Sequence, residues 1–129
     1  MKILADTSVW SLALRRKEPN EISKKLTDLI LSDLIVMIGA IRQEILSGIT
    51  DENSFLKLKA KLAAFDDFVI DTADYETAAQ FYNICRKNGI QGSHIDFLIC
   101  SVAYNHNFLI YTTDKDFENF AKYLQIKLL

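Results

Sequence analysis

Two hydrophobic rhythms alternate along this chain. Lys2 to Ala5 is a short apolar run suited to a buried strand, and Asp6-Thr7-Ser8 directly after it are helix-capping residue types. From Asn20 to Ser32 the apolar positions Ile22, Leu26, Leu29 and Ile30 recur at helical spacing, and Leu34 to Ile38 is then continuously apolar. Ala40 to Ser47 returns to helical spacing through Ile41, Ile45 and Leu46, with Gly48 as the stop. Phe55 to Phe65 fits both rhythms. Leu56, Leu58, Ala60 and Leu62 alternate with lysines, yet Phe55, Leu58, Leu62 and Phe65 form a helical stripe, and the Ala, Leu and Lys content with no β-branched residue favours helix.

Beyond this, Phe68 to Ile70 reads as a strand, and Asp74 to Lys87 as a helix burying Ala78, Phe81, Tyr82 and Cys85 before Asn88-Gly89. His94 to Asn105 reads as a helix, Phe108 to Tyr111 as a strand and Thr112 to Asp114 as a turn, followed by a short helix and a last strand near Gln125 to Leu128. Strands that are apolar throughout and alternate with helices indicate a parallel sheet covered on both faces. The expected fold is a three-layer α/β/α domain with a central, mainly parallel sheet of five strands. In such sheets the ligand crevice lies beyond the carboxyl ends of the strands.

Composition sharpens this picture. The 129 residues are 50% hydrophobic, with four glycines and one proline, so residues 1–129 are expected to form one domain without linkers or low-complexity tracts. The first apolar run ends at Asp6, far short of a signal sequence or a membrane span. Cys85 and Cys100 fall in predicted helices without metal-binding spacing and read as reduced core residues, which suits a cytoplasmic protein. The net charge of −2 excludes a protein that grips nucleic acid by bulk positive charge.

The candidate chemistry lies in four acids. Asp6 and Asp114 follow predicted strands, Asp96 begins a helix in Ser93-His94-Ile95-Asp96, and Glu44 sits on the short helix after the second strand. Each has an ordinary use: Asp6 and Asp114 as helix or turn caps, Asp96 in a capping box, Glu44 facing water. Taken jointly, the fold places all four around the crevice. Carboxylates gathered there repel one another unless a cation neutralises them, and an all-oxygen set suits Mg²⁺ or Mn²⁺ rather than zinc. The only histidines, His94 and His106, read as surface or helix-end residues.

Four blocks together resemble the PIN-domain nucleases, and within them the VapC-like toxins of toxin–antitoxin pairs. They are Asp6-Thr7-Ser8-Val9-Trp10, Glu44-Ile45-Leu46-Ser47-Gly48, Asp96-Phe97-Leu98-Ile99 with Ala103 beyond, and Thr112-Thr113-Asp114-Lys115-Asp116-Phe117. The resemblance implies a five-stranded parallel sheet, Mg²⁺ or Mn²⁺ dependence and endonucleolytic cleavage of RNA. Asp6, Glu44, Asp96 and Asp114 then become the catalytic and metal-binding quartet. Thr7, Ser8, Thr112 and Thr113 would orient carboxylates or water, and Asp116 would join through water. Cys100-Ser101 departs from the small alanines common in relatives. The resemblance also implies a homodimer and a cognate antitoxin that covers the site.

An ion held by Asp6, Asp96 and Asp114, with a second near Glu44, is expected to activate water and to stabilise charge on the phosphate. Candidate RNA contacts are Arg15, Arg16, Lys17, Lys24 and Lys25, with Lys57, Lys59 and Lys61 as a further basic series; each has a solvated helix face as its ordinary alternative. Trp10 and Tyr111 could stack on bases, although core packing suits both better, and part of the apolar stretch Leu26 to Ile49 is expected to stay exposed for a partner. The alternatives are a housekeeping RNA-processing PIN nuclease and an inactive PIN-like module that binds a partner. An aspartyl-phosphate phosphatase is disfavoured, because it needs an acid where this chain has Ser8.

Overall fold

The structure, a computed structural model, describes residues 1–15 and 19–129, with the side chain of residue 15 left out. The elements run β1 (Ile3–Ala5), α1 (Thr7–Arg15), α2 (Glu21–Leu31), β2 (Ile35–Val36), α3 (Gly39–Leu46), α4 (Glu52–Leu62), α5 (Thr72–Lys87), α6 (His94–His106), β3 (Leu109–Tyr111) and α7 (Asp116–Ala121). The chain stops its helices where the backbone chemistry asks for it. Asn20 and Ser23 close a capping box on α2, Asp71 and Asp74 on α5, and Ser93 and Asp96 on α6. Gly48 after α3 takes φ +86°, and Asn107 after α6 is left-handed at φ 59°. Residues 56–62 lie within α4, so the alternating pattern there gives way to helix propensity.

The sheet has the order β2-β1-β3, parallel throughout, with Ile3 opposite Ile35 and Leu109, and Ala5 opposite Tyr111. Two further extended segments extend it in parallel, each by a single bridge: Asp67 on Met37, and Leu128 on Ile110. The Phe68 amide donates to the Met37 carbonyl at 2.7 Å, and the Leu129 amide to the Ile110 carbonyl at 2.8 Å. Five parallel segments are therefore aligned, of which the outer two touch the sheet too briefly to form ladders. The predicted strand at 68–70 is displaced to Asp67. Val69 is 82% exposed while Phe68 and Ile70 pack against the core, so the run there is buried on one face only.

The principal helix–helix contacts join α1 to α2 and α3, α3 to α4, and α5 to α6. Right-handed crossovers account for the two groups: stepping outward from β1 through β2 to residue 67 puts α1–α4 on one face, and returning to β3 puts α5 and α6 on the other. The direction of strand progression reverses between β1 and β3, which makes their carboxyl ends the crevice. One hydrophobic cluster runs through both layers, from Val9, Trp10 and Ile41 to Phe97, Phe117 and Phe120. Gly92 fixes the entry to α6, because a Cβ there would stand 2.7 Å from Phe120 Cζ and 2.9 Å from Phe97 Cζ. Trp10, Tyr111, Cys85 and Cys100 are buried, as their sequence contexts suggest. In the stretch Leu26–Ile49 only Leu31, 81% exposed, remains a large open apolar side chain, so the expected patch is mostly core.

Candidate active site

Asp6 is built into the junction of β1 and α1. Its amide donates to the Tyr111 carbonyl at 2.9 Å, so the residue is held at the meeting of β1 and β3. One carboxylate oxygen, Oδ1, accepts from the Ser8 amide at 3.1 Å, the Ser8 hydroxyl at 2.5 Å and the Val9 amide at 3.4 Å. The other, Oδ2, accepts from the Thr112 hydroxyl at 2.7 Å. Asp6 thus caps α1, as the ordinary reading of its sequence context expects, and its second oxygen faces the loop after β3. The side chain is only 4% exposed, and burial raises its pKa above the ordinary value although the Ser8, Thr112 and Val9 hydrogen bonds pull the other way.

The same hydroxyls tie in the loop after β3. Thr112 Oγ1 accepts from the Asp114 amide at 2.9 Å, and Ser8 Oγ accepts from the Thr113 amide at 3.0 Å. Asp114 Oδ1 accepts from the Asp116 amide at 2.9 Å, which makes Asp114 the cap of the turn leading into α7. Asp116 contributes its backbone here, and its side chain is exposed. On the other flank the Thr7 hydroxyl donates to Glu44 Oε1 at 2.7 Å, linking α1 to α3.

Asp96 completes the capping box of α6, its Oδ2 accepting from the Ser93 amide at 3.0 Å. Its pKa is raised, first by burial, while the Ser93 hydrogen bonds lower it and the negative charges of Asp114 and Glu44 raise it further. Beneath the site, burial pushes the Cys100 thiol well up, with Asp96 and Asp6 among the charges that add to the effect. Neither salt bridge among the described residues involves any of the four acids. Arg42, adjacent in sequence to the Glu44 block, turns away: it pairs with Asp67 at 2.9 Å and donates to the Leu62 and Phe65 carbonyls.

Among the described residues, no three His, Cys, Asp or Glu side chains are spaced as a ready-made metal cage. The donor chemistry nevertheless fits a hard divalent cation. All four groups are carboxylates, two of them are held where ionisation is unfavourable, and among the described residues no salt bridge offsets them. Mg²⁺ needs only one or two protein carboxylates and keeps several waters, so an open arrangement suits it better than a closed cage would.

The basic residues divide. Lys25 Nζ lies 5.1 Å from the ring centroid of Tyr111, at the carboxyl end of β3, and Lys24 is exposed. Lys57 and Lys61 line a groove with Leu14 and Ile45, and Lys59 is exposed on α4. Arg16 and Lys17, and the Arg15 side chain, lie outside the described residues. One buried ionic group escaped the sequence reading. Asp74, 1% exposed, accepts from Asn105 Nδ2 at 2.9 Å and meets His106 Nε2 at 3.0 Å, so His106, the helix-end residue its sequence context suggests, also pairs with a buried acid. Asp74 sits in the first turn of α5, where an acid reads as a helix cap, and its partners are about thirty residues away.

Residues 3–123 match the profile of the PIN domain. The chain belongs to the PIN-domain family. This PIN domain is 32% identical over 125 residues to the VapC ribonuclease Mb1587 of Mycobacterium bovis, covering 93% of this chain and 92% of that protein. Ribonuclease VapC11 of Mycobacterium tuberculosis matches equally. Among solved structures, VapBC2 from Rickettsia felis bound to a promoter DNA fragment gives a TM-score of 0.81 at 16% identity, over 100% of this chain and 98% of that one. FitAcB from Neisseria gonorrhoeae gives 0.78 at 22% identity, over 98% and 96%. These likenesses establish the PIN fold. No helix among the described residues is long and apolar enough to cross a membrane.

Proposed function

We propose that this PIN domain is a metal-dependent endoribonuclease, the toxin of a VapBC-type pair, and that Asp6, Glu44, Asp96 and Asp114 are its catalytic and metal-binding residues. The observation that carries this reading is the geometry at the strand crossover: the Thr112 hydroxyl ties Asp6 to the loop that presents Asp114, the charges of Asp114 and Glu44 add to the raised pKa of Asp96, and no salt bridge among the described residues offsets the four acids. Its near full-length likeness to VapC ribonucleases supplies the substrate class. When bound, Mg²⁺ or Mn²⁺ supplies Lewis acidity for water and positive charge for the phosphate oxygens. Asp6, Asp96 and Asp114 would hold it, with Glu44 at the edge.

The chain's own residues do the positioning. Ser8 and Thr112 fix both oxygens of Asp6 and keep it from rotating out of the crevice. Thr7 restrains Glu44, and the Ser93 amide restrains Asp96. Asp116 anchors the turn of Asp114 through its amide, while Lys24 and Lys25 on α2 are suited to the RNA backbone. Partner proteins follow from the relatives: the neighbouring folds were solved as VapBC and FitAB assemblies, and an antitoxin covering this crevice and a homodimer are part of the same proposal.

Cleavage of a structured and an unstructured RNA with Mg²⁺, Mn²⁺ or chelator tests the reading, using wild type, Asp6→Asn and Asp96→Asn. Metal-dependent internal cutting that both substitutions abolish is expected. Cutting that survives chelation, or full activity in both variants, sinks it.

A further inference from the structure

A hollow of about 380 Å³ lies between α5 and α6, beside the acidic crevice but outside the quartet. Its shape follows from spacing on α5. Tyr75 and Tyr82 stand seven residues, or about two helical turns, apart, with only the methyl groups of Ala78 and Ala79 between them. The result is a slot with an aromatic side chain at each end. Ile95 and Leu98 of α6 close it from the opposite side. Tyr75 is 57% exposed, an aromatic side chain that the core does not account for.

The end of the slot nearest the site carries recognition chemistry. Tyr82 stacks on the His94 imidazole with centroids 5.1 Å apart and planes 13° from parallel. Arg86 donates to the Tyr82 hydroxyl at 3.0 Å, and its guanidinium lies 5.9 Å from the Tyr82 ring. Asn83 also lines the slot, and its amide offers both a donor and an acceptor. His94 and Ile95 occupy the same first turn of α6 as Asp96, so the slot opens one or two residues from a proposed metal carboxylate.

We propose that this slot receives an unstacked base of the RNA strand, next to the phosphate being cut, and so sets where the enzyme cleaves. The proposal rests on the ribonuclease reading above. Single-stranded RNA is recognised by splaying bases onto aromatic, histidine and arginine planes and by hydrogen bonds to their edges. The exposed His94 ring, backed by Tyr82, supplies the plane, and Asn83 supplies the hydrogen-bonding groups. Charge selects RNA over another apolar occupant. Arg86, which donates to the Tyr82 hydroxyl and enters no salt bridge among the described residues, leaves positive charge at that end of the slot for a flanking phosphate.

The test compares cleavage of an RNA library, randomised around one cut site, by wild type, Ala79→Trp and Asn83→Ala, with size-exclusion chromatography of all three. Ala79 is exposed, so the indole fills the slot without entering the core. Wild type is expected to favour particular bases at one position beside the cut. Ala79→Trp should flatten that preference and lower kcat/KM on the favoured RNA about tenfold, as loss of one stacked base does, with Asn83→Ala changing which base is favoured. Unaltered preferences in both variants, or no preference in wild type, would overturn the proposal while leaving the ribonuclease reading intact. A dimer that Ala79→Trp splits, with cleavage preference unchanged, would make the slot a subunit interface and equally overturn it. Absence of any RNA cleavage by wild type removes the ribonuclease reading itself.

Discussion

In the proposed site, Asp6 and Asp96 would serve folding and chemistry in opposite senses. Their side chains cap helices, which stabilises the fold, but burial raises both pKa values, so the ionised forms needed to hold a cation are disfavoured in the metal-free protein. Native protein then binds more protons than unfolded chain between the ordinary aspartate value of about 3.9 and the raised native one. Stability accordingly falls as pH rises through that window. Asp96→Asn keeps an amide oxygen for the Ser93 amide and removes the charge. In chelator, the variant should melt higher than wild type at pH 7, and the difference should vanish below about pH 4; a variant that melts lower at pH 7 would contradict this. The hydroxyls that grip Asp6 act through orientation. Ser8→Ala or Thr112→Val should cost roughly 10–100-fold in activity or metal affinity, the usual penalty for losing a partner of a metal ligand. Titrating cleavage against Mn²⁺ separates the affinity loss from a loss at saturation.

At the scale of elements, α5 and α6 are joined by a contact of opposite sign. Burial alone would raise the Asp74 pKa, but hydrogen bonds from Asn105 and His106 and the Asp71 amide, with the His106 charge, outweigh it and the net shift is downward. The stability it contributes is present above the unfolded aspartate pKa and is lost as pH falls through the depressed native value. Asp74→Ala removes the acceptor of the Asp71 amide and leaves the Asn105 amide only the Thr77 hydroxyl at 3.3 Å, and should cost about 1–3 kcal/mol in urea unfolding at pH 7, with a smaller difference in strong acid. This pair was illegible in sequence because its members are 32 residues apart and each looked like a helix-end polar residue. What was legible had short-range grammar. Ser93-His94-Ile95-Asp96 reads as a capping box and forms one, and Asn88-Gly89 ends α5 as expected. The outer strands were legible only in part, since apolar runs at 68–70 and 125–128 say nothing of how many ladder hydrogen bonds they make; each yields a single bridge. The site acids could be nominated singly from sequence, but their shared neighbourhood depends on β1 and β3 being adjacent, which no local pattern states.

For the molecule as a whole, the parallel sheet creates a charge problem and places it where a substrate can use it. A protein of net charge −2 places acids at the strand crossover, while the two ion pairs among the described residues lie elsewhere, Arg42 with Asp67 and His106 with Asp74. Phosphodiester substrates are themselves anionic, so an acidic crevice without a cation repels what the proposed reaction requires. A divalent ion resolves both conflicts at once: it offsets the carboxylate repulsion, and it leaves residual positive charge facing the phosphate. The linkage between folding and metal follows directly. Ion bound only by the folded crevice, at a hundred times its dissociation constant, adds about 2.7 kcal/mol to stability, which is several degrees in melting temperature for a domain of this size. Wild type should show that rise with Mn²⁺ by calorimetry, and Asp96→Asn should start higher in chelator yet respond less to the metal. Equal Mn²⁺ responses in wild type and in a variant lacking Asp6, Asp96 and Asp114 together would place the ion elsewhere on the surface, and the crevice would then lose its claim to hold it.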